Sequence, residues 1–147
     1  MDFKLNEEQK LIKEAASNFA QQVLLPTILE RDETQTFPIQ EIKQLAELGF
    51  MGMMVDPSYG GSGLDTMSYV LAMEELSKID AAASVVMSVN NSLVCWGLEK
   101  YGNTQQKEKY LPALCNGEKI GAFCLSEPEA GSDAPPQKTM AVKMGDY

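Results

Sequence analysis

The sequence predicts a mainly α protein: five helices, followed by the first strands of a β unit. Three observations carry that expectation. Apolar residues recur three and four apart through the first eighty positions. A fourth stretch, 81–100, is apolar almost all round. Only after Lys119 does the pattern shorten, to two runs at 120–125 and 137–144 split by a loop rich in Pro and Gly.

The helices follow in order. Asn6 can cap the first, with Gln9 three residues on to reach back. Its apolar face is Leu11, Ile12, Ala15, Ala16, Phe19, Ala20, Val23 and Leu24. Pro26 ends or kinks it, and 27–31 can add a turn. Pro38 suits a first helical turn, Ile39, Ile42, Leu45, Ala46 and Leu48 form the next stripe, and Gly49 is a ready C-terminal cap. Asp65 or Thr66 caps the third helix, with Tyr69, Val70, Met73, Leu76 and Ile79 facing inward. Asp80 restarts the chain as the fourth helix, which Gly102 ends. Asn103 or Thr104 caps the fifth, 105–110, and Leu111-Pro112-Ala113-Leu114 reads as a compact turn. Residues 145–147 look like the start of a hairpin turn.

Four stretches invite a functional reading. The Met-rich run 50–56 reads as a buried crossing segment in preference to a ligand surface, because Met fills irregular gaps. The glycines of Gly60-Gly61-Ser62-Gly63 match neither a phosphate loop nor GxGxxG, so a structural turn is favoured. Glu74 and Glu75 lie about 100° apart around a helix and cannot form an acid/base dyad; they read as solvated charges. Asn90, Asn91 and Ser92 interrupt an apolar face; hydrogen bonds between helices are favoured over ligand contacts.

Composition removes several function classes. The 147 residues carry a net charge of −9, 21 acidic against 12 basic, with no basic stripe. Nucleic acid and anionic membrane surfaces are therefore poor partners. No apolar run is read as membrane-spanning, and the N-terminus does not resemble a targeting peptide, so a cytoplasmic location is expected. The three cysteines show no CxxC spacing, which argues against a disulfide framework. Histidine is absent, which excludes Ser-His-Asp and Cys-His catalysis within the chain and leaves no expected metal site.

The stretch that gathers chemistry is 121–133, GAFCLSEPEAGSD. A β-prone run enters a loop bearing a hydroxyl, carboxylates and a glycine, which reads equally as a ligand edge or as a plain turn. With its context the chain resembles the acyl-CoA dehydrogenases. The resemblance is carried by Pro57-x-Tyr59-Gly60-Gly61-x-Gly63, Glu74-Glu75, Gln106-Lys107 with Leu111-Pro112, Gly117-Glu118-x-Ile120-Gly121, and Leu125-Ser126-Glu127-Pro128-x-Ala130-Gly131-Ser132-Asp133-Ala134. Residues 87–93, MSVNNSL, look most like the short-chain (butyryl-CoA) branch.

The resemblance implies an N-terminal all-helical domain over 1–117 and the beginning of a middle β-domain over 118–147. It implies FAD as cofactor, a short-chain acyl-CoA as substrate, oxidation to the trans-2-enoyl-CoA, an electron-transfer flavoprotein as acceptor, and a homotetramer. Phe123, Cys124 and Leu125 would lie along the flavin, Ser126 would place its hydroxyl on the pyrimidine edge, Gly131 would leave room for close approach, and Ser132 would face the acyl-CoA. Glu127 and Asp133 would order the loop, and no catalytic base is assigned to this chain, so alone it is expected to be inactive. Pro135-Pro136 departs from the family's small residues and threatens the strand entry. The alternative reading is a non-catalytic helical module that binds acyl-CoA or a dehydrogenase subunit.

Overall fold

The computed structural model describes residues 4–145. Residues 146 and 147, part of the expected hairpin turn, lie outside that range. Helix α1 (Glu7–Phe19) opens on a capping box: the Asn6 side chain accepts from Gln9 N at 2.8 Å, and Asn6 N donates to Gln9 Oε1 at 3.1 Å. The helix then widens into a π-helical segment, Ala20–Leu24, before Pro26. Its buried side is Ala16, Phe19, Ala20 and Leu24, whereas Leu11 is 64% exposed and leaves the expected face.

Helix α2 (Ile28–Thr34) is a separate two-turn piece, and α3 (Ile39–Glu47) starts just after Pro38. Gly49 ends α3 with φ +79°, a left-handed conformation that suits Gly. Residues 50–55 then cross the interior: Phe50, Met51, Met53 and Val55 are all buried. Helix α4 (Thr66–Ser77) is capped by Asp65, which accepts from Ser68 N at 2.7 Å, and it packs along α1. Val70 is 51% exposed, contrary to the inward face expected of it.

The fourth helical stretch is α5 (Ala81–Ser88), a second π-helical segment (Val89–Cys95) and α6 (Trp96–Tyr101). At 21 residues, Ala81–Tyr101 is long and apolar enough to cross a membrane, which corrects the expectation that no run reaches that length. Two of its amides, Asn90 and Asn91, are nonetheless buried in polar contact with other parts of the chain. Helix α7 (Thr104–Cys115), capped by Asn103, continues through Pro112 instead of turning at 111–114. The last turn holds because Leu111, Leu114 and Cys115 are buried with Val55 and Cys95, and that packing outweighs the lost proline donor.

Two apolar clusters result. The larger joins α1, α3, the crossing segment, α4 and α5 through Phe19, Leu24, Ile42, Leu45, Phe50, Met51, Leu76 and Met87. The smaller joins the crossing segment, the second π-segment and α7. The mainly helical fold is as expected, but among the described residues no strand forms at 120–125 or 137–144. Other groups occupy their backbone: Lys138 N and Thr139 N donate to the Glu127 carboxylate, and Gln137 Nε2 donates to Leu125 O.

Candidate functional site

The segment 120–134 leaves the helical core at a well-defined point. Ile120 packs against the larger cluster, and Gly121 N donates to Asn90 Oδ1 at 2.9 Å. Gly121 lies directly on Val94: a Cβ there would stand 2.8 Å from the valine side chain. From that anchor the chain runs outward without helix or strand. Phe123 and Leu125 are 51% and 41% exposed, and Cys124 and Ser126 are exposed as well.

The loop is then closed by its own backbone. Glu127 N donates to Ala130 O (2.9 Å) and Ala130 N returns to Glu127 O (3.1 Å). Ala130 is buried, while Gly131, Ser132 and Asp133 are exposed. Nothing lies within 4 Å of where a Gly131 Cβ would sit. Glu127 carries the loop-ordering role expected of it: its two oxygens accept from Lys138 N (2.6 Å) and Thr139 N (3.1 Å). The Thr139 hydroxyl and these amides hold its carboxyl below the usual glutamate range. Pro135 and Pro136 sit inside a turn closed by Gln137 N to Ala134 O at 3.1 Å, and no strand follows them at 137–144.

The six residues expected to touch a cofactor, Phe123, Cys124, Leu125, Ser126, Gly131 and Ser132, thus share one exposed segment. Among the described residues, the N–H groups of 122–126 donate to no protein acceptor. A row of free donors beside two exposed apolar side chains, with open space at Gly131, fits a flat group that has a polar edge and an apolar face.

The glycine loop is different. Gly61 N donates to Asp56 O, Ser62 N to Gly52 O, Gly63 N to Val55 O and Leu64 N to Met53 O. These donors are consumed by the crossing segment, so the loop cannot cradle a phosphate. Glu74 stays in solvent, but Glu75 is 8% exposed and pairs with Lys78 (2.8 Å) and Lys13 (3.5 Å). The Lys78 hydrogen bond holds its carboxyl below the usual range, which corrects its reading as a solvated charge.

Sequence reasoning missed two features. Gln137, which fastens Leu125 O at 2.6 Å, carries no local signal beyond a polar residue after a turn. The buried group of Arg31, Glu41 and Asp80 carries none, because its members are up to 49 positions apart: Arg31 contacts Glu41 at 3.2 Å and Asp80 at 2.6 Å. It borders a cleft of about 690 Å³ lined by Ile28, Leu29, Phe37, Pro38, Ala81 and Ala82. Cys95 and Cys115 are buried thiols, and the hydrogen bond that Cys95 donates to Cys115, together with burial, pushes the Cys95 thiol up.

This geometry can be compared with known proteins. A family model described as acyl-CoA dehydrogenase, N-terminal domain, matches residues 6–118. The chain is 42% identical over 147 residues to the short-chain-specific acyl-CoA dehydrogenase of Clostridium acetobutylicum, covering 100% of this chain and 39% of that protein. Butyryl-CoA dehydrogenase from Megasphaera elsdenii superposes with a TM-score of 0.91 at 41% identity, over 99% of this chain and 39% of that one. A chain in the structure described as the electron transferring flavoprotein of Acidaminococcus fermentans superposes with a TM-score of 0.93 at 44% identity, over 99% of this chain and 38% of that one. The chain spans about two fifths of the length of the relatives it matches. With the family model matching residues 6–118 and a relative 42% identical along the whole chain, the chain belongs to the acyl-CoA dehydrogenase family.

Proposed function

We propose that this chain supplies one wall of the flavin and acyl-CoA site of a short-chain acyl-CoA dehydrogenase. The observation that carries the reading is the segment 121–132, rooted on the helical core at Gly121, with exposed side chains at 123–126 and 131–132 and backbone donors at 122–126 that meet no protein acceptor among the described residues. Held along Phe123 to Ser126, FAD would supply the hydride-accepting chemistry for oxidation of the acyl-CoA to the trans-2-enoyl-CoA. The chain's own residues hold and exclude. Phe123 and Leu125 offer apolar surface and shed water when covered; the Ser126 hydroxyl and the 122–126 amides offer hydrogen bonds to a polar edge. Ser132 beside Gly131 faces the thioester substrate. Glu127 is engaged by Lys138 and Thr139 as a loop-ordering group; by the family resemblance, the proton-abstracting carboxylate is assigned outside this chain. An electron-transfer flavoprotein is the proposed acceptor.

Two measurements test this. The 147-residue chain mixed with butyryl-CoA, FAD and an artificial electron acceptor is expected to show no turnover, and turnover would place the base within it. A chimera carrying this chain in place of the matching stretch of the Megasphaera elsdenii enzyme is expected to purify yellow and to oxidise butyryl-CoA. A folded, colourless chimera would sink the reading.

A further inference from the structure

The second π-helical segment, Val89–Cys95, holds an amide that links three separate parts of the chain to the candidate site. Asn90 is fully buried. Its Nδ2 donates to Met51 O (2.7 Å) in the crossing segment and to Leu114 O (3.2 Å) near the end of α7. Its Oδ1 accepts from Gly121 N (2.9 Å), the first residue of the signature segment. Nδ2 also reaches Cys95 Sγ at 3.7 Å, the other partners are backbone groups, and a buried amide so satisfied has one orientation. A π-helical bulge shifts the residues that follow it around the helix axis, and such bulges concentrate at functional sites.

The neighbouring contact points the same way. Gly121 is pressed onto Val94, four residues beyond Asn90 on the same segment, with no room for a side chain. One bond and one steric stop therefore fix both the height and the direction at which 121–126 leaves the core. Beyond Gly121 the segment's donors meet no protein group, so nothing else among the described residues sets its register before Leu125.

We infer that Asn90 is a positioning residue for the flavin-facing wall, acting through Gly121. The inference rests on the proposed flavin reading of 121–132. Asn90 touches neither cofactor nor substrate in this account; it sets where Phe123 to Ser126 present their amides. Misplacement of a binding edge by about 1 Å is enough to cost large factors in function.

The test uses two variants that disturb the link from opposite sides. Asn90→Leu removes the acceptor while keeping the volume, and Gly121→Ala pushes the segment off Val94 without touching the amide. In the 147-residue chain, amide hydrogen exchange is expected to show Gly121 losing protection in Asn90→Leu while the α1 and α4 amides keep theirs. In the chimera, both variants are expected to weaken FAD binding by about tenfold or more and to shift the flavin's visible band. Leu45→Ala, a cavity in the larger cluster, is expected to lower the melting temperature and leave the band and the FAD affinity unchanged. Unchanged Gly121 exchange, or flavin properties that follow melting temperature alone across the three variants, would overturn the inference. A colourless wild-type chimera would instead remove the flavin reading, and Gly121 exchange would then decide the clamp by itself. Should Asn90→Leu fail to fold, Gly121→Ala carries the comparison.

Discussion

Asn91 and Met53 meet across the interior: Asn91 Oδ1 accepts the Met53 backbone N–H at 2.8 Å, 38 positions away in the sequence. The same side chain donates to Phe50 O (2.8 Å) and, one turn back, to Met87 O (2.9 Å). Beyond one 3-10 turn at Phe50–Gly52 the crossing segment has no helix or sheet of its own, and water is excluded from both ends of each bond. Asn91→Leu leaves a buried N–H and a buried carbonyl in the crossing segment unpaired. At about 1–3 kcal/mol for each group so stranded, the variant is expected to lose roughly 2–5 kcal/mol. Thermal or urea unfolding of the chain measures it, and a loss under about 1 kcal/mol would mean that water or relaxation replaces the amide.

Two glycines should respond in opposite ways to the same methyl group. A Cβ on Gly61 would collide with the Val55 carbonyl and side chain, where backbone cannot yield cheaply. Gly61→Ala is expected to cost about 1–3 kcal/mol, as overpacking does. A Cβ on Gly131 meets nothing. Gly131→Ala should change stability by less than about 0.5 kcal/mol, so any effect on flavin affinity in the chimera is a site effect. Comparable losses at both positions would remove the distinction between a packed turn and an open ligand edge.

The contrast shows what the sequence could carry. Helix starts were legible because Asn6, Asp65, Asp80 and Asn103 sit next to the backbone they cap. The crossing segment was legible as buried because five of its seven residues are apolar. Asn90 and Asn91 were legible as buried amides but not as a clamp, since their partners at 50–53, 114 and 121 become neighbours only once the chain has folded. The runs 120–125 and 137–144 were read as strands from their shortness after the helical pattern ends and the β propensity of the first, and a strand needs a partner more than it needs either. The residues of the candidate site were read as a single stretch, but its attachment to Asn90 and Val94 was not read.

The Arg31–Asp80 pair is the second long-range polar link. Asp80 is 1% exposed and also caps α5 through Ala83 N at 2.9 Å, while Arg31 is shared with Glu41. Arg31→Met strands two carboxylates in a poorly solvated place, and breaking such a pair from one side costs about 3–5 kcal/mol. Arg31→Met combined with Asp80→Asn and Glu41→Gln should recover part of that loss, because no charge is then left unpaired. Chemical denaturation of the single and triple variants decides it; a triple variant less stable than the single one would show that the charges themselves hold α2 against α5.

The face of Ala81–Tyr101 turned away from the core carries Val85, Leu93 and Trp96, exposed at 57%, 41% and 50%. The apolar character of this stretch all round was read from sequence as central burial; only one side is buried within the described chain. Exposed apolar stripes of this kind drive association. Sedimentation of the 147-residue chain should show self-association that Val85→Ser with Trp96→Ser suppresses. A monomer at all concentrations would count against an uncovered interface.

Loop order around Glu127 should depend on pH, and the sign follows from its environment. The Thr139 hydroxyl and the amides of Lys138 and Thr139 favour the ionised carboxylate, so its folded pKa is depressed. A group depressed on folding contributes order that is fully present above its unfolded pKa and is lost as pH falls through the lower folded value. The Lys138 and Thr139 amide shifts should therefore stay constant from neutral pH down to the ordinary glutamate range and move only below it. Glu127→Gln keeps one acceptor and removes the charge, so the acid-side transition should vanish while part of the amide shift remains. If the wild-type amides instead titrate at or above the ordinary glutamate range, the carboxylate does not hold the loop. The contacts that join 127 to 138–139 would then give no account of why these residues bond to a side chain in place of a neighbouring strand.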